Sequence, residues 1–218
     1  MKKNKQLLFK FNNKNSFNYN DFYVTNSNFY AFTLVNNWPK WEKNVINIFG
    51  EKFSGKSHLS EIFKDKYKAK IFSEKDINDK FFNNIKIHEN LVLDNFENKT
   101  NEKLIYTLFN IVDQDNKYLI INSRIPMIKM NYKLEDLVSR IKNCILAEIS
   151  KPDDDLIYAL ILKYCSDKQI KIDKKLIDFI IKRIDRSYGK IFNFIYKLDN
   201  MSLVKKKPID LKIIKQLI

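Results

Sequence analysis

The stretch Gly50-Glu51-Lys52-Phe53-Ser54-Gly55-Lys56-Ser57 fits G-x-x-x-x-G-K-[ST], and that loop works only between a buried strand and a helix. Its two glycines let backbone N–H groups turn inward around a β-phosphate. The lysine reaches the β/γ oxygens, and the hydroxyl at the eighth position faces Mg²⁺. Val45-Ile46-Asn47-Ile48-Phe49 is short, apolar and β-branched, and supplies the strand. Ser57 to Tyr67 carries Leu59, Ile62 and Phe63 at helical spacing, so its positive N-terminal end would face the phosphates. The whole chain has 3 glycines, and Gly50 and Gly55 are two of them, as expected where the backbone itself demands glycine. Gly50, Ser54, Gly55, Lys56 and Ser57 are therefore the expected cradle for ADP or ATP. His58 adjoins the loop and is grouped with it. As metal ligands His58 and His88 are set aside, because two lone histidines make no metal site.

The segments around the loop set the fold class. Lys70 to Phe72, Asn90 to Asn95, Tyr118 to Ser123 and Cys144 to Ile149 read as short apolar strands. Between them, Asn101 to Asn116 and Leu134 to Lys142 read as helices, the first with Leu104, Ile105, Leu108 and Ile111 inward. Strands alternating with helices imply an α/β fold, a parallel sheet with helices on both faces. Before the sheet, a helix-like segment from Phe29 to Asn37 ends at Trp38-Pro39-Lys40-Trp41, where the proline makes Trp38 extended. The two tryptophans are expected to pack on the domain edge. After Ser150 the pattern changes to four helical segments, 153–168, 173–185, 187–199 and 208–217, with Pro152 and Pro208 at helix starts. The expected organisation is a tail over 1–20, an α/β domain over 21–150 and a small all-helical domain over 151–218. In the tail, Gln6-Leu7-Leu8-Phe9-Lys10-Phe11 reads either as a first strand or as a linear peptide for another protein's pocket.

The net charge of +14 invites a nucleic-acid reading. The lysines, however, are spread over nearly every segment, and Asn and Ile are abundant, as an A/T-rich genome would produce. Such a diffuse field favours weak, salt-sensitive contact with polyanions over a specific site. The same bias makes the four arginines, Arg124, Arg140, Arg183 and Arg186, informative among the 40 Lys and Arg residues. An arginine marks a place that needs a planar, forked donor. No run of about 18 uncharged apolar residues exists, so no membrane span is expected. Cys144 and Cys165 lack metal-ligand spacing and read as reduced core residues of a cytoplasmic protein.

Ligands of an open parallel sheet sit at the carboxyl ends of its strands. Asp94 ends its strand there, where an acid holds nucleotide Mg²⁺ together with Ser57; a helix cap or turn is its bland alternative. Asn95 stands where many ATPases keep a water-activating base. An amide accepts no proton at neutral pH, so self-hydrolysis should be slow, with Glu97 the weaker candidate base. Asn122 and Ser123 end the neighbouring strand as sensor 1 candidates for a γ-phosphate, or as a simple turn. Arg140, on the short helix before the last strand, is either a surface ion pair or a group reaching a nucleotide on a neighbouring subunit. Lys182-Arg183 and Arg186 are solvated faces or nucleotide contacts.

The loop, Asp94, Asn122/Ser123, Leu137-Val138-Ser139-Arg140 and the helical segment after them together resemble an AAA+ ATPase module with its lid. The closer resemblance is to the DnaA initiator branch. Asp21-Phe22-Tyr23-Val24 with Asn28 is similar to its entry segment near the adenine, which adds Tyr23 and Val24 to the nucleotide-binding set. Asp136-Leu137-Val138-Ser139-Arg140 is similar to its arginine-finger segment. Lys182-Arg183-Ile184-Asp185-Arg186 is similar to its sensor 2 helix, which adds Arg186. One departure is Gly189, aligned where initiators keep a sensor 2 arginine, with Lys190 beside it. That departure puts ATP-driven switching in doubt and fits a protein resting with ADP. With the lid segment running to Ile218, the initiator's helix-turn-helix domain is not expected.

Those features, with Gln6-Leu7-Leu8-Phe9-Lys10-Phe11 in front, resemble the Hda family. The resemblance implies a negative regulator of replication initiation. Gln6, Leu7, Phe9 and Phe11 would dock on the sliding clamp of DNA polymerase III. Arg140 would act in trans on ATP bound to DnaA. Self-association into a homo-oligomer stays open, contact with DNA would be indirect through the clamp, and no membrane is involved. The rival readings are an autonomous ATPase of helicase-loader type, with substantial turnover of its own, and a DNA-binding accessory factor, with duplex preference that persists at physiological salt.

Overall fold

The computed structural model of the protein describes residues 19–170, 172–205 and 211–217. Five parallel strands form one sheet: β1 (Val45–Phe49), β2 (Lys70–Ser73), β3 (Asn90–Phe96), β4 (Tyr118–Ser123) and β5 (Ile145–Glu148), in the order β2-β3-β4-β1-β5. β1 lies between β4 and β5, with Asn47 opposite both Ile121 and Leu146, and so has a ladder on each side. Successive strand side chains point to opposite faces. Leu91, Leu93, Leu119 and Ile121 therefore join one core, while Ile46, Ile48, Val92 and Ile120 join the other.

Helices cover both faces. On the first lie α3 (Asp79–Ile85), α4 (Glu102–Gln114) and α5 (Glu135–Lys142); on the second lie α1 (Phe29–Asn36) and α2 (Lys56–Tyr67). α3 is an element the periodicity did not reveal, because it is only seven residues long. α4 begins where the Asn101 side chain accepts the Lys103 N–H, a cap that satisfies one orphan donor. Its fully buried stripe is Ile105, Leu108, Phe109 and Val112; Leu104 and Ile111 are only half-buried. The rotation follows from Phe109, the larger ring, which takes the inward place.

The chain then forms α6 (Asp154–Asp167), α7 (Lys174–Ile181), α8 (Tyr188–Lys205) and α9 (Leu211–Leu217) around a third core that includes Ile157, Ile161, Ile177, Ile180, Phe194 and Leu198. This helical cap is joined to the sheet core through Leu156 and Tyr188, both buried beside Ala31 and Ile149. Trp38 packs at the edge on Tyr67 and Tyr118, whereas Trp41 is inside, stacked on Phe63 with its Nε1–H donated to the Leu34 carbonyl. Cys144 and Cys165 are free and buried, and burial pushes their thiols up to about 12 and about 11. Among the described residues no helix is long and apolar enough to cross a membrane.

Candidate functional site

The motif loop leaves β1 at Gly50, whose N–H donates to the Ser123 carbonyl at 3.3 Å. A Cβ at Gly50 would stand 2.6 Å from the Ile149 carbonyl oxygen, so only glycine fits between the ends of β4 and β5. Gly55, at φ +98°, turns the chain into α2, and the Phe22 ring lies 3.1 Å from where its Cβ would be. Lys56 opens α2 and bends back over the loop. Its ammonium donates to the carbonyls of Gly50 (2.7 Å) and Glu51 (2.6 Å) and to Ser54 Oγ (3.2 Å). The side chain is buried, and burial lowers its pKa to about 8; Arg124 pushes the same way, while Asp94 and Glu51 oppose.

Asp94 sits at the carboxyl end of β3, beside Ser57. The Ser57 hydroxyl donates to both Asp94 oxygens, at 2.9 and 3.2 Å. Asn122, fully buried on β4, donates to Asp94 at 2.7 Å and to Ser60 Oγ at 2.6 Å, which ties the carboxylate to α2 and β4 together. Asn95 donates to the same carboxylate at 3.1 Å from a bulge at φ +56°, where β3 slips in register against β4. Ser123 is held apart from this group: its hydroxyl donates to the Ile125 carbonyl at 2.6 Å and accepts from Asn47.

Above the loop lies a cavity of about 440 Å³. The loop and α2 contribute Lys52, Phe53, Ser54, Gly55, Lys56, Ser57 and His58; the strand ends contribute Asn95, Glu97, Ser123 and Arg124. Asp21, Phe22, Tyr23 and Asn28 close one side, and Leu156, Leu160, Tyr188 and Phe192 from the cap close the other. Phe22 meets His58 edge-on at 5.2 Å, and Phe53 stacks on Phe192 at 4.3 Å. The buried Asn28 shapes the entry segment by donating to the Tyr23 carbonyl and accepting the Thr25 N–H. The Glu51 carboxylate accepts the Tyr188 N–H at 3.0 Å, at the start of α8.

The expected residues thus divide. Gly50, Ser54, Gly55, Lys56, Ser57, Asp94 and Asn122 form one connected group, with His58, Tyr23 and Ser123 at the cavity wall. Val24 and Arg186 do not line the cavity; Arg186 pairs with Asp154 at 2.8 Å at the start of α6. Gly189 turns nothing into the cavity either, and the α8 positions beside it that do are Tyr188 and Phe192. Arg140 is at the other end of the sheet: α5 buries Leu137 and Ile141, and Arg140 donates to Asp113 at 2.8 Å near Glu42 and Val45. The five residues of β1 separate it from the loop by roughly 16 Å. Gln6, Leu7, Phe9 and Phe11 lie outside the described residues.

Several contributors escaped the sequence reading, Leu156 and Leu160 of the cap among them. Phe192 and Tyr188 carry only a helical-core signal in the sequence. Asn47, an amide inside an apolar strand, was the one visible anomaly: fully buried, it donates to the Ile121 carbonyl and Ser123 Oγ and accepts the Met127 N–H at 2.8 Å. It thereby fixes the turn after β4.

A sheet of this order, a G-x-x-x-x-G-K-S loop after its inner strand, an acid one strand removed and a helical cap give this chain a fold like that of DnaA domain III. Domain III of the Thermotoga maritima initiator DnaA superposes with a TM-score of 0.76 at 18% identity, covering 93% of this chain and 95% of that one. AMPPCP-bound DnaA from Aquifex aeolicus superposes at 0.69 with 22% identity, over 85% of this chain and 66% of that one. In sequence, the chromosomal replication initiator DnaA of Campylobacter jejuni strain 81116 is 26% identical over 227 residues, covering 92% of this chain and 51% of that protein. The DnaA of Helicobacter hepaticus is 25% identical, over 88% of this chain and 47% of that protein. The chain spans about half the length of these curated relatives. Residues 153–218 match the family model described as the Hda lid domain. The chain is thus similar to DnaA over most of its length, and its last third matches the Hda lid domain.

Proposed function

We propose that this protein is a nucleotide-bound negative regulator of replication initiation, working in the cytoplasm on the sliding clamp and on DnaA. The observation that carries the reading is the connected group Lys56–Ser57–Asp94–Asn122 beneath a cavity roofed by an Hda-type lid. These residues fit a nucleoside di- or triphosphate with Mg²⁺. Ser57 and Asp94 share a hydrogen bond and would hold the metal, which would neutralise phosphate charge when bound. Lys56 brings a buried cation to the loop, and the apolar wall of Phe22, Leu156, Leu160 and Phe192 suits a base.

Intrinsic hydrolysis is slow in this reading. Asn95 cannot take a proton, and its amide instead supports Asp94. Glu97 is a poor substitute, because its hydrogen bond with Lys99, then the Lys99 charge and Arg124, hold its carboxyl below the usual range. Arg140 serves a partner's nucleotide. Its place at the far end of the sheet supports action in trans, since it cannot reach its own cavity. Gln6, Leu7, Phe9 and Phe11 would be the clamp peptide, a reading supported by their sequence pattern alone. The domain limits 21–150 and 151–218, and a possible homo-oligomer, belong to the same proposal.

The test has two stages. Purified sliding clamp should capture the full chain and lose it on Gln6→Ala/Phe9→Ala. Hydrolysis of DnaA-bound ATP on clamp-loaded DNA should then rise with the wild type and fail to rise with Arg140→Ala. A wild type that ignores the clamp, and turns over ATP by itself, would replace this reading with that of an autonomous loader-type ATPase.

A further inference from the structure

Two carboxylates of α4 meet the two ends of α5. Glu102 and Asp113 stand about three turns apart, so they fall on one face of α4, separated by roughly 16 Å along its axis. At the near end, the Glu102 carboxylate accepts the Lys133 N–H at 2.9 Å and the Leu134 N–H at 2.8 Å. Leu134 precedes α5 and its side chain caps nothing, so the neighbouring helix fixes where α5 begins. Between the two ends, Leu137 and Ile141 of α5 are buried in one core with Leu108, Phe109 and Val112 of α4. At the far end, Arg140 Nη1–H donates to Asp113 at 2.8 Å.

That far pair is open to water, with the Arg140 side chain 40% exposed and that of Asp113 62%. An ion pair so exposed contributes little to stability. Its effect is on direction. A free arginine spreads its fork over many rotamers, and a side chain held in place beforehand loses less entropy on docking. The hold is also one-sided. Among the described residues, the bond from Nη1 to a single Asp113 oxygen is the only hydrogen bond of the guanidinium. A planar fork with several N–H donors therefore keeps most of them free while Asp113 holds it. The pair borders a hollow of about 220 Å³ that Glu42, Lys43 and Asn143 also line, so there is room at the fork for an approaching anion.

We infer that Asp113 is a positioning residue for Arg140: it holds the guanidinium in the orientation that meets a partner's nucleotide, while Glu102 sets the helix that carries it. The inference deepens the trans reading of Arg140 above and rests on it. Asp113 touches no phosphate and acts only through the arginine. Removing its acceptor leaves the charge of Arg140 in place but releases the fork. The loss therefore falls on the turnover step and spares the association of the two proteins. An asparagine keeps one oxygen acceptor at the same place, and so keeps the hold.

The test is hydrolysis of DnaA-bound ATP on clamp-loaded DNA, followed against the concentration of the full chain. The wild type is compared with Asp113→Ala, Asp113→Asn and Arg140→Ala. Asp113 is a surface residue in the last turn of α4, and equal urea midpoints check that its variants keep the fold. Asp113→Ala should lower the maximal rate about 5- to 10-fold and leave the half-saturating concentration within about 2-fold. Asp113→Asn should restore about half of the maximal rate or more. No loss in Asp113→Ala, or an equal loss in both variants, overturns the inference. A higher rate in both also overturns it, and would make Asp113 a counter-ion that withholds the arginine. If Arg140→Ala stimulates as well as the wild type, or the wild type does not stimulate, the trans reading itself fails, and the inference with it.

Discussion

Gly50 shows how a single hydrogen atom can hold a site open. The Ile149 carbonyl lies 2.6 Å from where a Cβ would be, and it belongs to backbone that cannot swing aside. Gly50→Ala should therefore lower stability by about 2 kcal/mol or more, measured by urea unfolding, and displace the loop from β5. Lys56 carries a pH signature. Its folded-state pKa of about 8 lies below the usual 10.5, so between those values the unfolded chain holds a proton that the fold does not. The destabilisation from the buried charge is fully present below pH 8 and relieved as pH rises toward 10.5. Phosphate oxygens around the ammonium would restore the proton. Nucleotide binding near pH 8.5 should thus take up about half a proton or more, read from titrations in buffers of different ionisation enthalpy. Binding with no proton uptake would show that Lys56 stays charged on its own. The loop, Asp94 and Asn122 were legible at this scale because spacing and strand ends carry their chemistry. Arg124 was legible only as a rare arginine, since its wall depends on the turn after Ser123.

At the scale of elements, the motif loop and α8 form a clasp. Phe53 stacks on Phe192 at 4.3 Å, and Glu51 caps the Tyr188 N–H. Both loop residues occupy variable positions of the motif, so spacing assigns them no role. Their partner helix comes from more than a hundred residues later, a distance that periodicity cannot bridge. Phe192→Ala removes the stack, worth about 0.5–1.5 kcal/mol, without emptying the cap core. Amide exchange should quicken at the start of α8 and in the loop and stay unchanged in β3 and β4. An unchanged pattern at α8 would mean that the backbone bond to Glu51 holds the clasp alone. Element positions were mostly readable from hydrophobic period. The exceptions have physical causes: α3 is too short to show a period, and α4 turns to bury Phe109.

For the whole molecule, the sheet and the helical cap share a core. Leu156 and Tyr188 are buried among Ala31, Val35 and Ile149, and the Lys163–Asp21 ion pair adds a surface link. A chain cut after residue 150 should keep its parallel sheet by circular dichroism yet lose about 2–4 kcal/mol, because two large side chains leave the shared core. Equal stability with and without the cap would show the two parts to be energetically independent. The change of pattern after Ser150 suggested a separate helical part, but it could not reveal that the first cap helix also closes the cavity above the loop.

The parallel sheet, the phosphate loop, Asp94, Asn122 and the helical cap could all be read from the residues alone. Each is written in local spacing and strand-end chemistry, which survive without knowledge of what packs where. The resemblance of its motifs added likeness to DnaA and an Hda-type lid, which the comparisons bore out. Which arginine stands where follows from packing. Arg186 is turned to Asp154, Arg140 is carried to the far end of the sheet, and Arg124 is brought beside Lys56. Direction of a side chain depends on the twist and packing of whole elements, and no spacing rule encodes it.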